Sequence, residues 1–276
     1  MADQLTLMAV HAHPDDESSS TGGVLARYAS EGIQTVLVTC TNGELGDLPG
    51  GIKPGDAGHD ETAVAALRRL ELEAACRLLN VTHLELLGYQ DSGMADWEYK
   101  DRPNAFCNIA TEVAAARVAK LIERYRPDVV VTYDDSAAYD HPDHVKASEV
   151  TRAALELTSV PKKFYFTAMS RRNWEKIRAI LEEKGGDVPE LPAVSPEMSQ
   201  KLDEIEARIQ TTVDVHPFVA TKRAALAAHA SQLEGSFFTK FPPDVFDLAF
   251  GQETFIRVSD TTGASLPETD LFAGLR

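Results

Sequence analysis

The sequence predicts an α/β protein with a Rossmann-like, mostly parallel sheet, helices on both faces and a smaller C-terminal cap region. Short apolar runs rich in β-branched residues alternate with amphipathic segments through the first part of the chain, and this alternation is typical of parallel sheets with helical crossovers. It stops near Ser170, where polar and proline-bearing segments begin. We therefore expect residues 1–169 to form the Rossmann-like core, and residues 170–276 to form the cap and the substrate pocket of the same single domain.

Each element follows from the period of its apolar residues. Short β-branched runs bounded by turn residues predict strands over residues 5–12, 33–40, 82–87, 129–133 and 163–167. Apolar residues at helical spacing predict helices over residues 18–31, 62–79, 111–125 and 144–157. The Gly- and Pro-rich residues 48–58 and the polar residues 91–108 predict loops.

The C-terminal region has a weaker pattern. Helical spacing predicts a helix over residues 171–183, and three prolines within residues 185–199 indicate an exposed loop. We also expect a short strand over residues 214–219, a helix over residues 220–232 and a loop-like tail from Gly235 onward.

Composition narrows the possible partners and the location. The chain has 276 residues, 43% of them hydrophobic, and a formal net charge of −16. This charge argues against nucleic acid or an anionic membrane surface as a partner, because both attract basic patches. No apolar run approaches the roughly 20 residues of a membrane helix, and three scattered cysteines without a CxxC pair suit a reducing compartment. We expect a cytoplasmic protein, and the sequence leaves a homo-oligomer open.

Two clusters of His and Asp follow predicted strands. The segment HPDDE, residues 13–17, follows the first strand, and YDHPDH, residues 139–144, follows the fourth. Because open α/β sheets bind ligands beyond the carboxyl ends of their strands, we expect these clusters to meet. His13, Asp16 and His144 then form a ligand set suited to Zn²⁺, with a position left open for water.

The neighbouring polar residues suit an amide hydrolase. Asp15 is adjacent to a ligand without being needed as one, and it is placed to act as general base. An imidazolium at His141 would stabilise a tetrahedral oxyanion, and Asp143 would orient an imidazole by accepting its N–H. Tyr139 could hydrogen-bond the substrate carbonyl. Either Asp15 or His141 could then protonate the leaving amine, and the sequence does not decide between them.

Two other classes of protein use parts of this pattern. Two histidines and one carboxylate also bind Fe²⁺ in oxygenases, and an α/β sheet of this kind also serves non-catalytic sugar- or nucleotide-binding modules. The combination of Asp15 and His141 favours hydrolysis, because neither alternative requires that pair.

Several other residues that could suggest a site have simpler interpretations. His11 alternates with His13 along the first strand, which predicts that it packs beneath the site. His59, His83 and His216 are expected to have ordinary structural or surface roles. The pair at residues 22–23, Gly-Gly, lacks a surrounding phosphate-binding pattern, so close helix packing is the better interpretation.

The sequence resembles the PIG-L (LmbE-like) zinc deacetylase family over most of its length. It is most similar to the actinobacterial branch that contains the N-acetylglucosaminyl-inositol deacetylase and the mycothiol S-conjugate amidase. The resemblance rests on AHPDDE at residues 12–17, TNGE at 41–44, RRLEL at 68–72, LGYQDSGM at 87–94, YDHPDH at 139–144 and AHASQ at 228–232.

The resemblance implies the same metal ligands and the same general base as the residues themselves suggest. It further implies that Arg68 and Asp91 contact sugar hydroxyls, with Glu44 or Asp47 nearby. Ser20 stands where the conjugate amidases tend to carry lysine, which favours a small acyl amide on a sugar. The tail at residues 270–272 favours the amidases instead.

The function expected from the sequence is therefore metal-dependent hydrolysis of an N-acyl amide, most simply an N-acetyl group, on a glucosamine-type substrate. The cofactor expected is Zn²⁺, with Fe²⁺ as the alternative in the cell. The alternative function within the family is cleavage of a cysteinyl-glucosamine amide by a mycothiol S-conjugate amidase.

Overall fold

One sheet forms the centre of the molecule. The computed structural model describes residues 4–276 apart from residues 137–138, 184–194, 235, 237 and 239–240. Within this described part, the strands in chain order are β1 (Thr6–His11), β2 (Gln34–Thr41), β3 (His83–Tyr89), β4 (Val129–Tyr133), β5 (Lys163–Ala168), β6 (Thr211–Asp214) and β7 (Gln252–Asp260). Their order across the sheet is β3-β2-β1-β4-β5-β7-β6.

The sheet is mostly parallel, which confirms the predicted fold class. β1 pairs in parallel with β2 and β4, β2 with β3, and β4 with β5. β7 runs antiparallel to β5 and β6. The chain leaves β1 towards β2 and β3 on one side and returns through β4 and β5 on the other side. A switch point therefore lies between the ends of β1 and β4, where sheets of this kind bind ligands.

Helices cover both faces of the sheet. None of them, within the residues described, is long and apolar enough to cross a membrane. In chain order they are α1 (Asp16–Ser20), α2 (Gly22–Ser30), α3 (Glu61–Leu79), α4 (Thr111–Tyr125), α5 (Pro142–Glu156), α6 (Arg171–Glu183), α7 (Pro196–Arg208), α8 (Val219–Ala228), α9 (Ala230–Leu233) and α10 (Pro243–Phe250).

The two largest apolar cores lie on opposite faces of the sheet, because side chains alternate between the two faces of each strand. In β1, Met8 and Val10 belong to the core that includes residues of α4 and α5. Leu7 and Ala9 belong to the opposite core, with residues of α2 and α3. All four side chains are fully buried. Burial on both faces explains why β1 reads as a continuous apolar run.

The prediction of a loop-like tail from Gly235 is wrong, because this part of the chain contains α10 and β7. β7 is hard to recognise from sequence because it carries charged residues whose partners lie outside the strand. Glu253 lies 2.6 Å from the Nζ of Lys222, and both side chains are almost fully buried. Arg257 pairs with Glu268 at 3.0 Å. Paired charges are tolerated in a buried strand, whereas unpaired ones are not.

The predicted strand over residues 214–219 is also displaced. The strand β6 ends at Asp214, and a 3₁₀ turn over His216–Phe218 leads directly into α8. Pro217 accounts for the difference, because it has no amide N–H for a sheet ladder and its fixed φ suits a helix start.

The predicted loop over residues 185–199 ends earlier than expected. α7 begins at Pro196, and the side chain of Ser195 caps it by accepting from the amide of Met198 at 3.1 Å. Most of that prediction, residues 185–194, lies outside the described residues.

Glu268 anchors the C-terminal residues to the sheet. Its carboxylate accepts hydrogen bonds from Lys163 Nζ at 2.5 Å, Tyr165 Oη at 2.8 Å and Thr211 Oγ1 at 2.9 Å. Lys163 also donates to the carbonyl of Ala273 at 2.9 Å. The side chains of Lys163 and Glu268 are both fully buried. Each charge therefore depends on the other, since an unpaired buried charge is strongly unfavourable.

The predicted helix over residues 18–31 is divided at Thr21 into α1 and α2, and α2 starts with the two glycines. The amides of Gly23 and Val24 donate to the carboxylate of Glu253 at 2.7 and 2.8 Å. A Cβ on Gly23 would lie 2.5 Å from Cγ2 of Val215. For Gly23, this contact agrees with the close packing expected from the sequence.

We expect Gly23→Ala to destabilise the fold, because the added methyl group must displace Val215 and Glu253. Overpacking of this kind costs about 1–3 kcal/mol, more than the roughly 1 kcal/mol that alanine gains over glycine in a helix. Gly22→Ala is the matched control, since the nearest atom to its Cβ would be Cγ of Lys222, at 3.2 Å. Urea unfolding should show a lower free energy of unfolding for the Gly23 variant, and equal values for both variants would contradict this packing argument.

Candidate metal and catalytic site

The HPDDE and YDHPDH segments meet at the switch point, as predicted. His13 and Asp16 follow β1, and His144 lies in the first turn of α5, which follows β4. Strands β1 and β4 are direct neighbours in the sheet. His141 caps α5 by accepting the amide N–H of Asp143 through Nδ1 at 3.2 Å, and Pro142 occupies the first helical position. This capped start fixes where α5 presents His144.

His13, Asp16 and His144 form a compact, largely buried cluster. Their candidate ligand atoms all lie within 4.8 Å of one another. The Nε2 of His144 is 3.3 Å from Oδ1 of Asp16, and the Nδ1 of His13 is 3.5 Å from Oδ2 of Asp16. The structure therefore brings together the three predicted metal ligands.

The free atoms of this cluster are those that a cation needs. Oδ2 of Asp16 already accepts hydrogen bonds from the His13 amide at 2.8 Å and the Tyr133 hydroxyl at 2.7 Å, which leaves Oδ1 available. Burial alone would lower the pKa of His13, but Asp91, Asp143 and Asp16 together raise that pKa well above its usual value. The site is thus strongly negative, and its donor set fits a divalent metal such as zinc.

Asp143 orients His13. The Nε2 of His13 hydrogen-bonds Oδ2 of Asp143 at 3.2 Å, which leaves Nδ1 facing Asp16. Asp143 is completely buried and is held by the amide of Ser92 at 2.8 Å and by the Ser92 hydroxyl. A carboxylate on the outer nitrogen of a ligating histidine is a recurrent arrangement that fixes the ring and its tautomer. The geometry agrees with the orienting role expected for Asp143.

Tyr133 is a site residue that sequence reasoning did not identify. Its hydroxyl donates to Asp16 and accepts the amide N–H of Ala12, each at 2.7 Å. Its ring stacks on that of His144, with ring centroids 4.0 Å apart. The available signal was its position as the last residue of β4, at the same sheet edge as the two motifs.

Asp15 adopts an unusual backbone conformation. Its φ of 115° and ψ of −25° lie in the left-handed half of conformational space, which costs a non-glycine residue about 1–3 kcal/mol. Its side chain is 31% exposed and accepts from Nη2 of Arg68 at 3.0 Å. Burial raises the pKa of Asp15 to about 6, despite the opposing charge of Arg68. A carboxylate near that pKa can take up and return a proton close to neutral pH.

Arg68 lies against Asp15 and is itself buried. Its Nη1 donates to the carbonyl of Gly43 at 2.8 Å, and its Nη2 donates to the carbonyl of Pro14 as well as to Asp15. The guanidinium thus joins the turn after β1 to the turn after β2. Its Nε has no partner within the described residues.

The other predicted substrate contacts lie around this centre. Asp91 is 4% exposed, accepts from the amide of Gly93 at 2.8 Å, and places Oδ1 3.6 Å from Nε2 of His13. Glu44 is 6% exposed, burial raises its pKa, and its Oε2 has no partner among the described residues. Ser20 lies one helical turn after Asp16 in α1, and none of the described residues hydrogen-bonds its hydroxyl.

His141 faces the same centre, with its ring centroid 4.5 Å from that of His13. Burial, together with the neighbouring His13 and His144, lowers the pKa of His141 to about 3. The structure thus favours a neutral ring, not the imidazolium expected from sequence. Because Nδ1 accepts the Asp143 amide, the ring proton is assigned to Nε2. Tyr139 is 57% exposed, and its ring centroid lies 4.9 Å from that of His144.

Four other histidines have the structural roles expected of them. His11 is fully buried, hydrogen-bonds Thr21 through Nε2 at 2.8 Å and packs on Tyr133, which confirms its predicted place beneath the site. His59, His83 and His216 bond to Gly46, Gln34 and Asp214 respectively.

Known proteins match this chain over most or all of its length. A family model described as PIG-L, GlcNAc-PI de-N-acetylase, matches residues 8–155. A 1D-myo-inositol 2-acetamido-2-deoxy-alpha-D-glucopyranoside deacetylase of Acidothermus cellulolyticus is 37% identical over 287 residues, covering 98% of this chain and 95% of the relative. A mycothiol S-conjugate amidase of Streptomyces coelicolor is 33% identical over 298 residues, covering 100% and 99%.

Solved structures share the fold at low identity. An N,N'-diacetylchitobiose deacetylase from Pyrococcus horikoshii aligns with a TM-score of 0.55 and 20% identity, over 89% of this chain and 74% of that one. A 4-carboxy-2-hydroxymuconate hydratase from Pseudomonas putida aligns with a TM-score of 0.63 and 18% identity, over 95% and 100%. The fold alone therefore does not determine the reaction. The family model and the full-length relatives together show that this chain belongs to the PIG-L family.

Proposed function

We propose that this chain is a cytoplasmic, zinc-dependent hydrolase that removes an N-acyl group, most simply acetyl, from a glucosamine-type sugar. One observation carries the proposal: the carboxylate of Asp15 immediately precedes Asp16, a member of a buried cluster of two histidines and one carboxylate that could hold a metal ion. The substrate class is supported by the full-length similarity to deacetylases of N-acetylglucosaminyl-inositol.

His13, Asp16 and His144 would hold the metal through Nδ1, Oδ1 and Nε2 respectively. When bound there, a zinc ion would polarise the amide carbonyl and bring the pKa of a water molecule to about 7. The protein supplies the remaining chemistry with its own residues. Asp143 keeps the outer nitrogen of His13 protonated, and Tyr133 keeps Oδ2 of Asp16 occupied.

Asp15 takes the proton of the attacking water as the new C–O bond forms at the acyl carbon. The Nε2–H of His141, a neutral donor, stabilises the oxygen of the tetrahedral intermediate by a hydrogen bond. Protonated Asp15 then returns its proton to the nitrogen as the C–N bond breaks, which releases the carboxylic acid and the free amine. The low pKa of His141 favours Asp15 over His141 as this acid.

Glu44 and Asp91 are the proposed contacts with sugar hydroxyls. The unpartnered Oε2 of Glu44 supports this role, because a buried carboxylate oxygen without a donor is unfavourable until a ligand supplies one. Arg68 would act on the sugar only through the N–H groups that its bonds to Gly43, Pro14 and Asp15 leave free. Tyr139 is exposed at the mouth of the site, and Ser20 and the C-terminal cap at residues 170–276 would shape the pocket around the acyl group and the aglycone.

Cleavage of a cysteinyl-glucosamine amide is the second candidate. It is supported by the mycothiol S-conjugate amidase of Streptomyces coelicolor, which matches this chain end to end. The two reactions share the same chemistry at the amide carbon and differ in the size of the acyl group.

The substrate assay compares acetate release from N-acetylglucosaminyl-inositol with amine release from a bulky mycothiol conjugate. The protein is first stripped with a chelator and then reloaded with Zn²⁺ or, without oxygen, with Fe²⁺. We expect zinc to restore turnover and the acetylated sugar to be preferred. Preference for the conjugate would identify the amidase, and no zinc-restored turnover of any N-acyl amino sugar would overturn the proposal.

We expect Asp15→Asn to lower kcat by about 10²–10⁴-fold, the usual contribution of a general base. Asparagine is isosteric and tolerates positive φ better than most residues, so the backbone should keep its conformation. The variant should bind metal as the unchanged protein does. Its kcat/KM should also lose the rise with pH through about 6 that ionisation of Asp15 produces. A variant that turns over at the original rate would exclude Asp15 as the base.

Tyr133→Phe should weaken zinc binding by about 10–100-fold, because it removes the hydrogen bond that keeps Oδ2 of Asp16 away from the cation. Competition with a fluorescent chelator measures this affinity directly. Tyr89→Phe is the matched control: Tyr89 also lies at the end of a strand, and its hydroxyl has no partner within the described residues. Equal zinc affinities for the two variants would show that Tyr133 does not support zinc binding.

A further inference from the structure

A buried ion pair lies directly behind Asp15. Oε1 of Glu17, in the first turn of α1, is 2.8 Å from Nε2 of His229, which lies between α8 and α9. Both side chains are fully buried. Neither residue can therefore reach a substrate, and any influence on the reaction must pass through a neighbouring group.

The Glu17 carboxylate also holds the backbone of Asp15. Its Oε2 accepts the amide N–H of Asp15 at 3.0 Å, while Oε1 accepts from His229 and from the hydroxyl of Ser18. The pair thus joins the C-terminal region to the turn that presents Asp15.

This amide belongs to the strained residue of the turn. The φ of 115° at Asp15 is not a conformation that an aspartate keeps unaided. Arg68 holds the carboxylate end of Asp15 by a hydrogen bond, and Glu17 holds its amide end. If the amide were released, the residue could relax to negative φ, and its carboxylate would then leave the cluster formed by His13 and Asp16.

His229 is positioned independently of Glu17. Its segment is fixed to α3 by Ser231, whose amide and hydroxyl donate to Glu71 at 2.8 and 2.7 Å. The side chain of Gln232 accepts the amide N–H of Asp47 at 3.3 Å and donates to the carbonyl of Asp47 at 2.9 Å. His229 can therefore act as a fixed support for the carboxylate of Glu17.

We propose that Glu17 and His229 form a positioning pair that keeps Asp15 in its strained, reactive conformation. The inference rests on the proposed role of Asp15 as general base. A pair kept only for stability would be a poor choice, because burying two charges costs about as much as their attraction returns. The amide N–H of Asp15 needs a hydrogen-bond acceptor, and the carboxylate of Glu17 provides it. His229 holds that carboxylate in place.

The test uses His229→Ala in the zinc-loaded protein. We expect kcat to fall by about 10–100-fold, the effect of a misplaced reacting group, with KM within about twofold and zinc affinity within about threefold of the original. Hydrogen exchange of the Asp15 amide, followed by mass spectrometry on a peptide covering residues 12–19, should become roughly tenfold faster as its hydrogen bond weakens.

His229→Gln and Thr211→Val separate positioning from general stability. Glutamine can still donate to Glu17, so His229→Gln should recover most of the lost kcat and of the amide protection. Thr211→Val removes a buried hydrogen bond to Glu268, outside the segment that carries His229, so it should lower the melting temperature and leave kcat within about twofold of the original. If Thr211→Val and His229→Ala reduce kcat equally, the pair is merely structural and the inference is wrong.

Glu17 provides the second approach, in case His229→Ala does not fold. Glu17→Gln keeps an oxygen that can accept the Asp15 amide, whereas Glu17→Ala does not, so amide exchange should be faster in the alanine variant. Exchange is measured without substrate, which separates this inference from the proposed function. Unchanged exchange in His229→Ala and Glu17→Ala would overturn the pair, even in an active enzyme. If these two variants exchange faster but the unchanged protein hydrolyses no N-acyl sugar, the pair is supported and the proposed reaction is rejected.

Discussion

The hydrogen bonds to Oδ2 of Asp16 are the interaction on which the site depends. One comes from the amide of His13, at the end of β1, and the other from the hydroxyl of Tyr133, at the end of β4. They join the two strands at the point where the chain reverses its direction across the sheet. They also divide the carboxylate into one oxygen that maintains the structure and one that stays free. The candidate cation site is therefore a consequence of how β1 and β4 pair.

The surrounding residues extend this principle outward. Asp143 and Ser92 fix His13 from one side, and Arg68 and Glu17 fix Asp15 from the other. Almost every polar atom close to the site has a protein partner. Among the described residues, the buried atoms without a partner include Oε2 of Glu44 and Nε of Arg68. Such preorganisation lowers the cost of aligning reacting groups.

Sequence reasoning identified the fold class and the central cluster because both depend on local signals. His13, Asp16 and His144 stand next to runs that can only be buried strands, and parallel strands deliver their ends to one edge. Tyr133 has only its position at the end of β4 as a signal, and a tyrosine at a strand end is usually a core residue. β7 was missed because Glu253 and Arg257 look like surface residues until their partners, 31 and 11 positions away, are known. The lowered pKa of His141 results from burial and from the neighbouring rings of His13 and His144, which only the folded chain brings together.

The Glu268 cluster has a consequence for how the protein is made. Lys163 lies at the start of β5, yet the carboxylate that neutralises it comes more than a hundred residues later. During synthesis, the first five strands leave the ribosome well before Glu268 does. Until then, Lys163 has no carboxylate partner and β5 lacks its neighbour β7. This side of the sheet can therefore be completed only after the last segment of the chain has been released.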